Sequence, residues 1–308
     1  MQSRASRARA REAAAAVESA APAWNTCLGY ASRLSEYADK GVTGIAEKAD
    51  SARVLQRKLA QLVELFEASD TIVALTGAGI STAAGLPDFR GPRGIWTLED
   101  RKKRRRGAAD DDDGDAPAGA SFEAAAPTPT HMALVALERR GLLAFCATQN
   151  VDGLDLRSGL TRAKLGILHG CVFTERCEAC GAEAVHDCDL GGVALKPTGR
   201  FCRCGARMLD TVLDWDDALP ESEWGPATAA FEGADLCLAL GTSLRIVPAA
   251  DLPLLAKKFV VVNLQKTPLD ADAALVIRAK VDDVMAHLLR ALRVDPLPAP
   301  QRKPEAPS

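Results

Sequence analysis

The sequence has no apolar run near the roughly 20 residues that a membrane-spanning helix needs, so no membrane partner is expected. The N-terminal stretch MQSRASRARAREAAAA has no uninterrupted apolar core of the kind that a secretory signal requires. The net charge is only −3, which argues against wholesale nucleic-acid binding by charge. Nine cysteines without a secretory signal indicate a reducing compartment, with the thiols free or bound to metal.

Low-complexity segments divide the 308-residue chain. Residues 1–27 are rich in Ala, Arg and Ser, and they predict a disordered or targeting tail. Residues 101–121 are basic and then acidic, and they predict a mobile surface insertion. Residues 295–308 form a Pro-rich tail. The 28–294 region between the tails is long enough for one large domain with a small satellite.

Apolar strands alternate with amphipathic helices along this domain. Residues 51–68 and 130–143 have helical periodicity, and residues 281–293 predict a closing helix. The apolar strand candidates are TIVAL, LLAFCATQN, ADLCLALGTS, KFVVVNLQ and AALVIRA. We therefore predict the α/β class, with a Rossmann-like parallel sheet over 45–170 and 208–294 and helices on both faces.

A glycine-rich loop follows the first strand. Gly77, Gly79, Ser81 and Thr82 are typical of a pyrophosphate site, in which bare backbone admits the phosphate and the hydroxyls open a helix. A dehydrogenase would continue with a second strand and an acid about 20 residues on. The chain instead continues PDFRGPRGIW and then RKKRRRGAADDDDGD, which cannot be a buried strand. Hydride-transfer chemistry is therefore not expected.

The polar exits of four strands should meet in one crevice, because ligands of parallel sheets bind outside the carboxyl ends of the strands. These exits are residues 77–82, 149–152, 241–243 and 263–265.

Four of the six cysteines in residues 171–207 indicate a small zinc module. Cys177 and Cys180 form a Cys-x-x-Cys-Gly knuckle, and Cys202 and Cys204 form a second pair. Four thiolates suit one tetrahedral structural zinc, whereas an iron–sulfur cluster would need wider spacing. The second pair has only one intervening residue and needs a tight turn, which Gly205 makes feasible. Cys188 is an alternative ligand, and Cys171 is a more remote one.

The motifs GAGIS, PDFRG, TQNVDGL, LHG, GTSL and VNLQ occur in this order around the four-cysteine segment. Together they resemble the sirtuins, a family of NAD-dependent protein deacylases, over about residues 28–294. The segments YADKG, PTPTHMALVALER, TVLDWDDALP, GTSLRIVP and VNLQKTPLDADA are similar to the class IV branch of nuclear chromatin sirtuins. One position departs from the family, since Asp155 follows NVDGL where most relatives have histidine.

The resemblance implies a reaction in which NAD loses nicotinamide and the acyl group is transferred to ADP-ribose. In this family a histidine acts as general base on a ribose hydroxyl, which here implies His169, assisted by Asn150 and Asp152. The other histidines, His131, His186 and His287, are predicted to be structural. The implied cofactor-binding residues are Ala78, Gly79, Ile80, Thr82, Asp88, Phe89, Arg90, Trp96, Gln149, Gly241, Thr242, Ser243, Asn263, Gln265 and Val281.

The implied partners are acyl-lysine proteins such as histone tails, and chromatin is a further candidate. The peptide is expected to add as a strand between residues 213–215 and 245–248, where Trp215 and Val247 would bind it. The sequence leaves open a mono-ADP-ribosyltransferase and a catalytically weak NAD sensor or chromatin-binding protein. The basic run at 102–106, together with the class IV resemblance, favours the nucleus, with an organellar transit peptide as the alternative.

Overall fold

The computed structural model describes residues 26–37, 40–105 and 120–300. The predicted N-terminal tail up to residue 25, the insertion from 106 to 119 and the last eight residues lie outside the described part. Within the described ranges, no helix is long and apolar enough to cross a bilayer.

The chain begins with helices α1 (Cys27–Arg33) and α2 (Ala52–Glu67), followed by strand β1 (Ile72–Thr76). Next come α3 (Ile95–Arg105), α4 (Pro129–Arg139), β2 (Phe145–Thr148), α5 (Leu154–Arg157) and β3 (Leu165–Ile167). A second group of strands is β4 (Thr174–Cys177), β5 (Glu183–Val185), β6 (Pro197–Phe201) and β7 (Arg207–Asp210). The chain returns through α6 (Glu221–Glu232), β8 (Leu236–Leu240), β9 (Lys258–Val262), β10 (Leu275–Ile277) and α7 (Val281–Ala291).

The large sheet has six strands in the order β10-β9-β8-β1-β2-β3, and every pairing is parallel. Ile72 and Ala74 of β1 belong to the apolar core on one face, while Val73 and Leu75 belong to the core on the other. Both faces are therefore covered, and this confirms the predicted Rossmann-like class. The fully buried strands read as continuous apolar runs because neither face meets water.

The small sheet is antiparallel, with the order β5-β4-β7-β6. It contains the predicted zinc module, but β7 continues to Asp210, three residues past the predicted boundary at 207. The boundary was placed too early because MLD at 208–210 resembles the start of the next apolar segment.

Two other boundaries also differ from the prediction. Cys27 was assigned to the tail, but it is buried and opens α1 behind the cap residue Thr26. The insertion was predicted to begin at 101, but α3 continues to Arg105 because the basic residues after Trp96 are good helix formers.

Candidate functional site

A cavity of about 110 Å³ lies at the carboxyl ends of the central strands. It sits where the strand order reverses, between β1 and β8, the position at which parallel α/β sheets bind ligands. All four predicted strand exits contribute to it. The predicted site residues that line it are Ala78, Gly79, Asp88, Phe89, Arg90, Trp96, Gln149, Asn150, His169, Gly241, Thr242, Ser243, Asn263 and Gln265.

The glycine loop after β1 packs directly on the loop after β8. The Gly79 N–H donates to the Gly241 carbonyl at 2.8 Å, and a Cβ at Gly79 would lie 2.8 Å from that residue's backbone. No α-helix opens here, because the loop forms two short 3₁₀ turns, Ala78–Ile80 and Thr82–Ala84. The hydroxyl residues Ser81 and Thr82 therefore open only a short 3₁₀ helix, and the glycines serve loop-to-loop packing.

His169 has a defined tautomer. Its Nδ1 lies 3.0 Å from the carbonyl oxygen of Gln149, and since a carbonyl can only accept, Nδ1 carries the proton. In the neutral ring Nε2 is then an acceptor, as a general base requires. Burial lowers the pKa of His169, and the charge of Arg90 acts in the same direction.

Gln149 and Asn150 connect the strand exits through their amide groups. Gln149 Nε2 donates to the Thr242 hydroxyl at 2.9 Å, so the loops after β2 and β8 are joined. Asn150 Nδ2 donates to the Gly77 carbonyl at 3.2 Å. These bonds fix two amides whose remaining groups line the cavity.

Asp152 lies behind the cavity wall. It is buried, with its carboxylate accepting from the Ser81 hydroxyl at 2.7 Å and from the Leu154 N–H at 2.9 Å. Burial raises its pKa. The structure thus places Asp152 one hydrogen bond from the glycine loop but not on the cavity surface.

An aromatic wall closes one side of the cavity. Phe89 and Trp96 lie 4.7 Å apart between ring centroids, and Trp96 and Trp215 lie 5.0 Å apart. The Arg90 guanidinium lies 4.3 Å from the Trp96 ring centroid. Burial raises the pKa of Asp88, which lines the cavity near Arg90.

Several predicted residues do not line the cavity. Ile80 and Val281 are buried in the core, and Thr82 is exposed on the second 3₁₀ turn. These three residues do not line the cavity, and their contact with the cofactor stays a prediction.

The two predicted substrate edges also differ from each other. The backbone N–H groups of Leu213, Asp214 and Trp215 already donate within the chain, so this segment offers few free donors for strand addition. On the opposite side, Val247 is 67% exposed and is accessible to a partner.

Three lining residues outside the glycine loop, Tyr30, Val151 and Ile246, were not among the predicted cofactor-binding residues. Tyr30 lies on α1, of which only Cys27 had been assigned to the tail, and its ring meets Phe89 edge-on at 6.0 Å. Ile246 had been considered only as part of the peptide edge. The signal for Tyr30 was a helical Leu-Gly-Tyr-Ala segment behind the N-cap threonine.

The four predicted cysteines come together in the small sheet. The sulfurs of Cys177, Cys180, Cys202 and Cys204 all lie within 4.8 Å of one another. Sulfur pairs at 3.4 Å (177–204) and 3.6 Å (180–202) approach the roughly 3.8 Å that tetrahedral bonds of about 2.3 Å imply. The donor set and spacing therefore fit zinc.

The tight turn that the second pair needs is present. The Gly205 N–H donates to the Cys202 carbonyl at 2.9 Å, and Gly205 has φ of +89°, which favours glycine. The alternative ligand Cys188 is exposed and stands outside the cluster, and Cys171 is buried elsewhere.

Two of the histidines predicted to be structural, His131 and His186, contact neighbouring side chains outside the cavity. His131 is fully buried at the start of α4, where it completes a capping box with Thr128. His186 pairs with Glu175 at 2.9 Å.

The family model that describes the Sir2 family matches residues 77–248. The NAD-dependent protein deacetylase SRT1 of Arabidopsis thaliana is 49% identical over 275 residues, covering 87% of this chain and 56% of the relative. The chain belongs to the Sir2 family, the sirtuins. The NAD-dependent protein deacetylase Sirt6 of Drosophila melanogaster is 41% identical, covering 86% of this chain and 85% of the relative.

Among solved structures, the sirtuin complex "Sir2-p53 peptide-NAD+" aligns with a TM-score of 0.56 and 29% identity, over 77% of this chain and 99% of that chain. The relatives are consistent with the class IV branch predicted from the sequence. The sirtuin chain described here spans little more than half the length of the plant relative, at 56%.

Proposed function

We propose that this sirtuin is an NAD-dependent protein-lysine deacylase. The observation that carries the proposal is His169, whose Nδ1 is held by the Gln149 carbonyl in a cavity lined by the family's loops. The relatives named as NAD-dependent protein deacetylases support the same activity.

The cavity fits NAD by its donor and acceptor groups. The β1 and β8 loops meet through Gly79 and Gly241, and together with Thr242 and Ser243 they present backbone and hydroxyl groups suited to phosphates and ribose. Asn263 and Gln265 would contact the adenosine side. When bound, NAD would supply the ribose–nicotinamide bond that breaks and the ribose that receives the acyl group.

The base in this proposal is His169. Its neutral ring can accept a proton at Nε2 from a ribose hydroxyl while Nδ1 stays bonded to Gln149. Because burial lowers its pKa, the ring is largely neutral at physiological pH. Asn150, anchored on Gly77, would hold the ribose and an ordered water.

The aromatic wall would keep the reacting atoms dry. Phe89 and Trp96 line the cavity with apolar rings, which would exclude water from the weakly nucleophilic acyl oxygen. Asp152, through Ser81, would support the loop that contacts the nicotinamide carboxamide. Asp88 and Arg90 complete the cofactor wall.

The proposed substrates are acyl-lysine proteins, with Trp215 and Val247 beside the entering peptide. Trp215 continues the aromatic wall outward, and it stacks on Tyr37 with ring centroids 4.9 Å apart. Long acyl chains, histone tails and chromatin are finer proposals, and they rest on the class IV resemblance and this apolar wall. A nuclear location rests on that resemblance and on the basic residues after 101.

Mass spectrometry of acetyl-lysine and myristoyl-lysine histone peptides, with and without NAD, tests this function. We expect NAD-dependent loss of the acyl group with release of nicotinamide, and His169→Ala should abolish both. Nicotinamide release with ADP-ribose attached to protein would instead identify a mono-ADP-ribosyltransferase. Binding of NAD with neither product would indicate an NAD sensor and would contradict the proposal.

A C-terminal fluorescent fusion tests the location. Nuclear fluorescence is expected, and plastid or mitochondrial fluorescence would contradict it in favour of a transit peptide.

A further inference from the structure

Three ionisable side chains are buried together behind the cavity. A ring nitrogen of His131 and a carboxylate oxygen from each of Asp152 and Asp155 lie within 4.8 Å of one another. Asp155 is 3% exposed, and its Oδ1 has no hydrogen-bond partner among the described residues. A buried carboxylate is costly, so its presence here calls for a compensating role.

This cluster is not a metal site. The Thr128 N–H donates to His131 Nδ1 at 3.1 Å, so Nδ1 holds a lone pair and the neutral ring carries its proton on Nε2. Both oxygens of Asp152 already accept hydrogen bonds. With no lone pair on Nε2, the ring offers no ligand to a metal, and the cluster has to be explained by its hydrogen bonds.

The other oxygen of Asp155 makes a short bond to the end of strand β2. The Thr148 hydroxyl donates to Asp155 Oδ2 at 2.6 Å. The same hydroxyl oxygen accepts the backbone N–H of Asn150 at 3.1 Å. The Thr148 proton is therefore directed to Asp155, which leaves a lone pair of the hydroxyl for the Asn150 N–H.

This relay ends at the groups that the proposed function uses. Gln149 and Asn150 follow Thr148 directly, and the Gln149 carbonyl holds Nδ1 of His169. Asp155 itself is fixed at the start of α5, where the Ser158 hydroxyl donates to its carbonyl at 2.6 Å. The relay thus joins a short helix to the strand exit that carries Gln149 and Asn150.

We propose that Asp155 is a positioning residue of the cavity: through the Thr148 hydroxyl it holds Gln149 and Asn150 where they orient His169 and the ribose. The inference rests on the proposed function. Asp155 touches no cavity-lining atom itself, and its effect is transmitted by one hydroxyl.

The ionisable groups that face Asp155 are Asp152 on the same loop, His131 of α4 and Cys146 of β2. Burial raises the pKa of Asp155 to about 6, while the hydroxyls of Thr148 and Thr76 lower it. A protonated Asp155 still offers Oδ2 as an acceptor, so the relay requires an acceptor rather than a charge. An asparagine meets the same requirement.

The test compares five variants with the unmodified protein by steady-state kinetics and by melting temperature. Asp155→Leu removes the acceptor and Thr148→Val removes the hydroxyl, and each should lower kcat about tenfold or more because the base and ribose lose alignment. The KM for the acylated peptide should stay within about twofold, because the peptide edge does not contact the relay. Asp155→Asn should retain kcat within about threefold.

The double variant Asp155→Leu/Thr148→Val should be no slower than the slower single variant, since both changes break one relay. Thr228→Val is the control, because this change also removes a buried hydroxyl, and Thr228 on α6 does not line the cavity. It should leave kcat unchanged.

A purely structural role would lower the melting temperature of Asp155→Leu without changing kcat in the folded protein, and this result would overturn the proposal. A fall in kcat in the double variant equal to the product of the two single falls would also overturn it.

Calorimetric titration with ADP-ribose separates this proposal from the proposed function. If the unmodified protein shows no turnover, the function fails. The relay is then supported by weaker ADP-ribose binding in both single variants than in Thr228→Val, and overturned by equal binding.

Discussion

At the scale of single residues, the fully buried His131 and the partly buried His169 are held by hydrogen bonds of opposite direction at Nδ1. His131 accepts at Nδ1 and is structural, whereas His169 donates at Nδ1 and keeps Nε2 as an acceptor. Burial lowers the pKa of both, that of His131 to about 4. Only the ring that lines the cavity can therefore exchange a proton with a ligand.

The pH dependence of turnover follows from His169. A general base works only when deprotonated, so activity is full above its pKa and falls as the pH drops through it. Because burial lowers that pKa below 6.5, we expect the midpoint of the fall in kcat/KM to lie below pH 6.5. Deacylation rates between pH 5 and 8 measure this, and a midpoint above pH 6.5 would be inconsistent with a base whose pKa is lowered by burial.

Asp155 makes a separate prediction about stability. Its pKa is raised from 3.8 to about 6 in the folded protein, so the fold favours the protonated carboxyl. Stability from this group is therefore full below about pH 4 and is lost as the pH rises through 6. Asp155→Asn should raise the free energy of unfolding at pH 8 by up to about 3 kcal/mol and leave it nearly unchanged at pH 4.

Urea unfolding at the two pH values checks this prediction. Asp70→Asn is the control, because it changes an exposed carboxylate. Asp210→Asn would not serve, because the Asp210 carboxylate accepts two backbone N–H groups. Equal gains at both pH values would show that the charge of Asp155 is not the cause.

At the scale of elements, the loops after β1 and β8 depend on backbone contact. A Cβ at Gly79 would lie 2.8 Å from backbone atoms of Gly241, which cannot move without shifting β8. Gly79→Ala should therefore cost about 1–3 kcal/mol and weaken NAD binding. Thermal unfolding and calorimetry measure both effects. In Gly233→Ala the added carbon meets only ordinary contacts at 3.7 Å or more, and this control should bind NAD normally.

The sequence predicted the parts of the fold that periodicity and end signals determine. The helix at Ala52–Glu67 and the buried strand at Leu236–Leu240 lie where the apolar patterns placed them. The 3₁₀ turns after β1 could not be predicted in this way, because GAGIST is equally typical of a loop that opens an α-helix. Their form is decided by the long-range contact between Gly79 and Gly241.

In the candidate site, too, local patterns predicted some features, and long-range packing determines the others. The four strand exits converge because the topology of a parallel sheet requires it, and the four cysteines converge because Gly205 permits the turn. The Thr148–Asp155 bond joins residues seven positions apart, and no motif predicts which oxygen of Asp155 remains unpaired. Such hydrogen-bond partners depend on packing rather than on local pattern.

At the scale of the whole molecule, an ion-pair network joins the small sheet to the large one. Glu223 of α6 is 3% exposed and accepts from Arg162 before β3 and from Arg176 of β4, both at 2.5 Å. Its carboxylate also accepts the Ile167 N–H at 2.9 Å, two residues before His169. The cysteine cluster and the cavity are thus linked through β3.

Loss of metal should therefore affect both the small sheet and turnover. Cys202→Ser removes one of four thiolates, and we expect the purified variant to contain far less than one zinc per chain and to lose most of its activity. Structural zinc contributes directly to folding, and the Cys202 sulfur lies 3.6 Å from the Cys180 sulfur in the cluster.

Cys188→Ser is the matched control, since this thiol is exposed and outside the cluster, and it should retain zinc and activity. Metal analysis by mass spectrometry decides between them, and zinc retained in Cys202→Ser but lost in Cys188→Ser would reassign the fourth ligand.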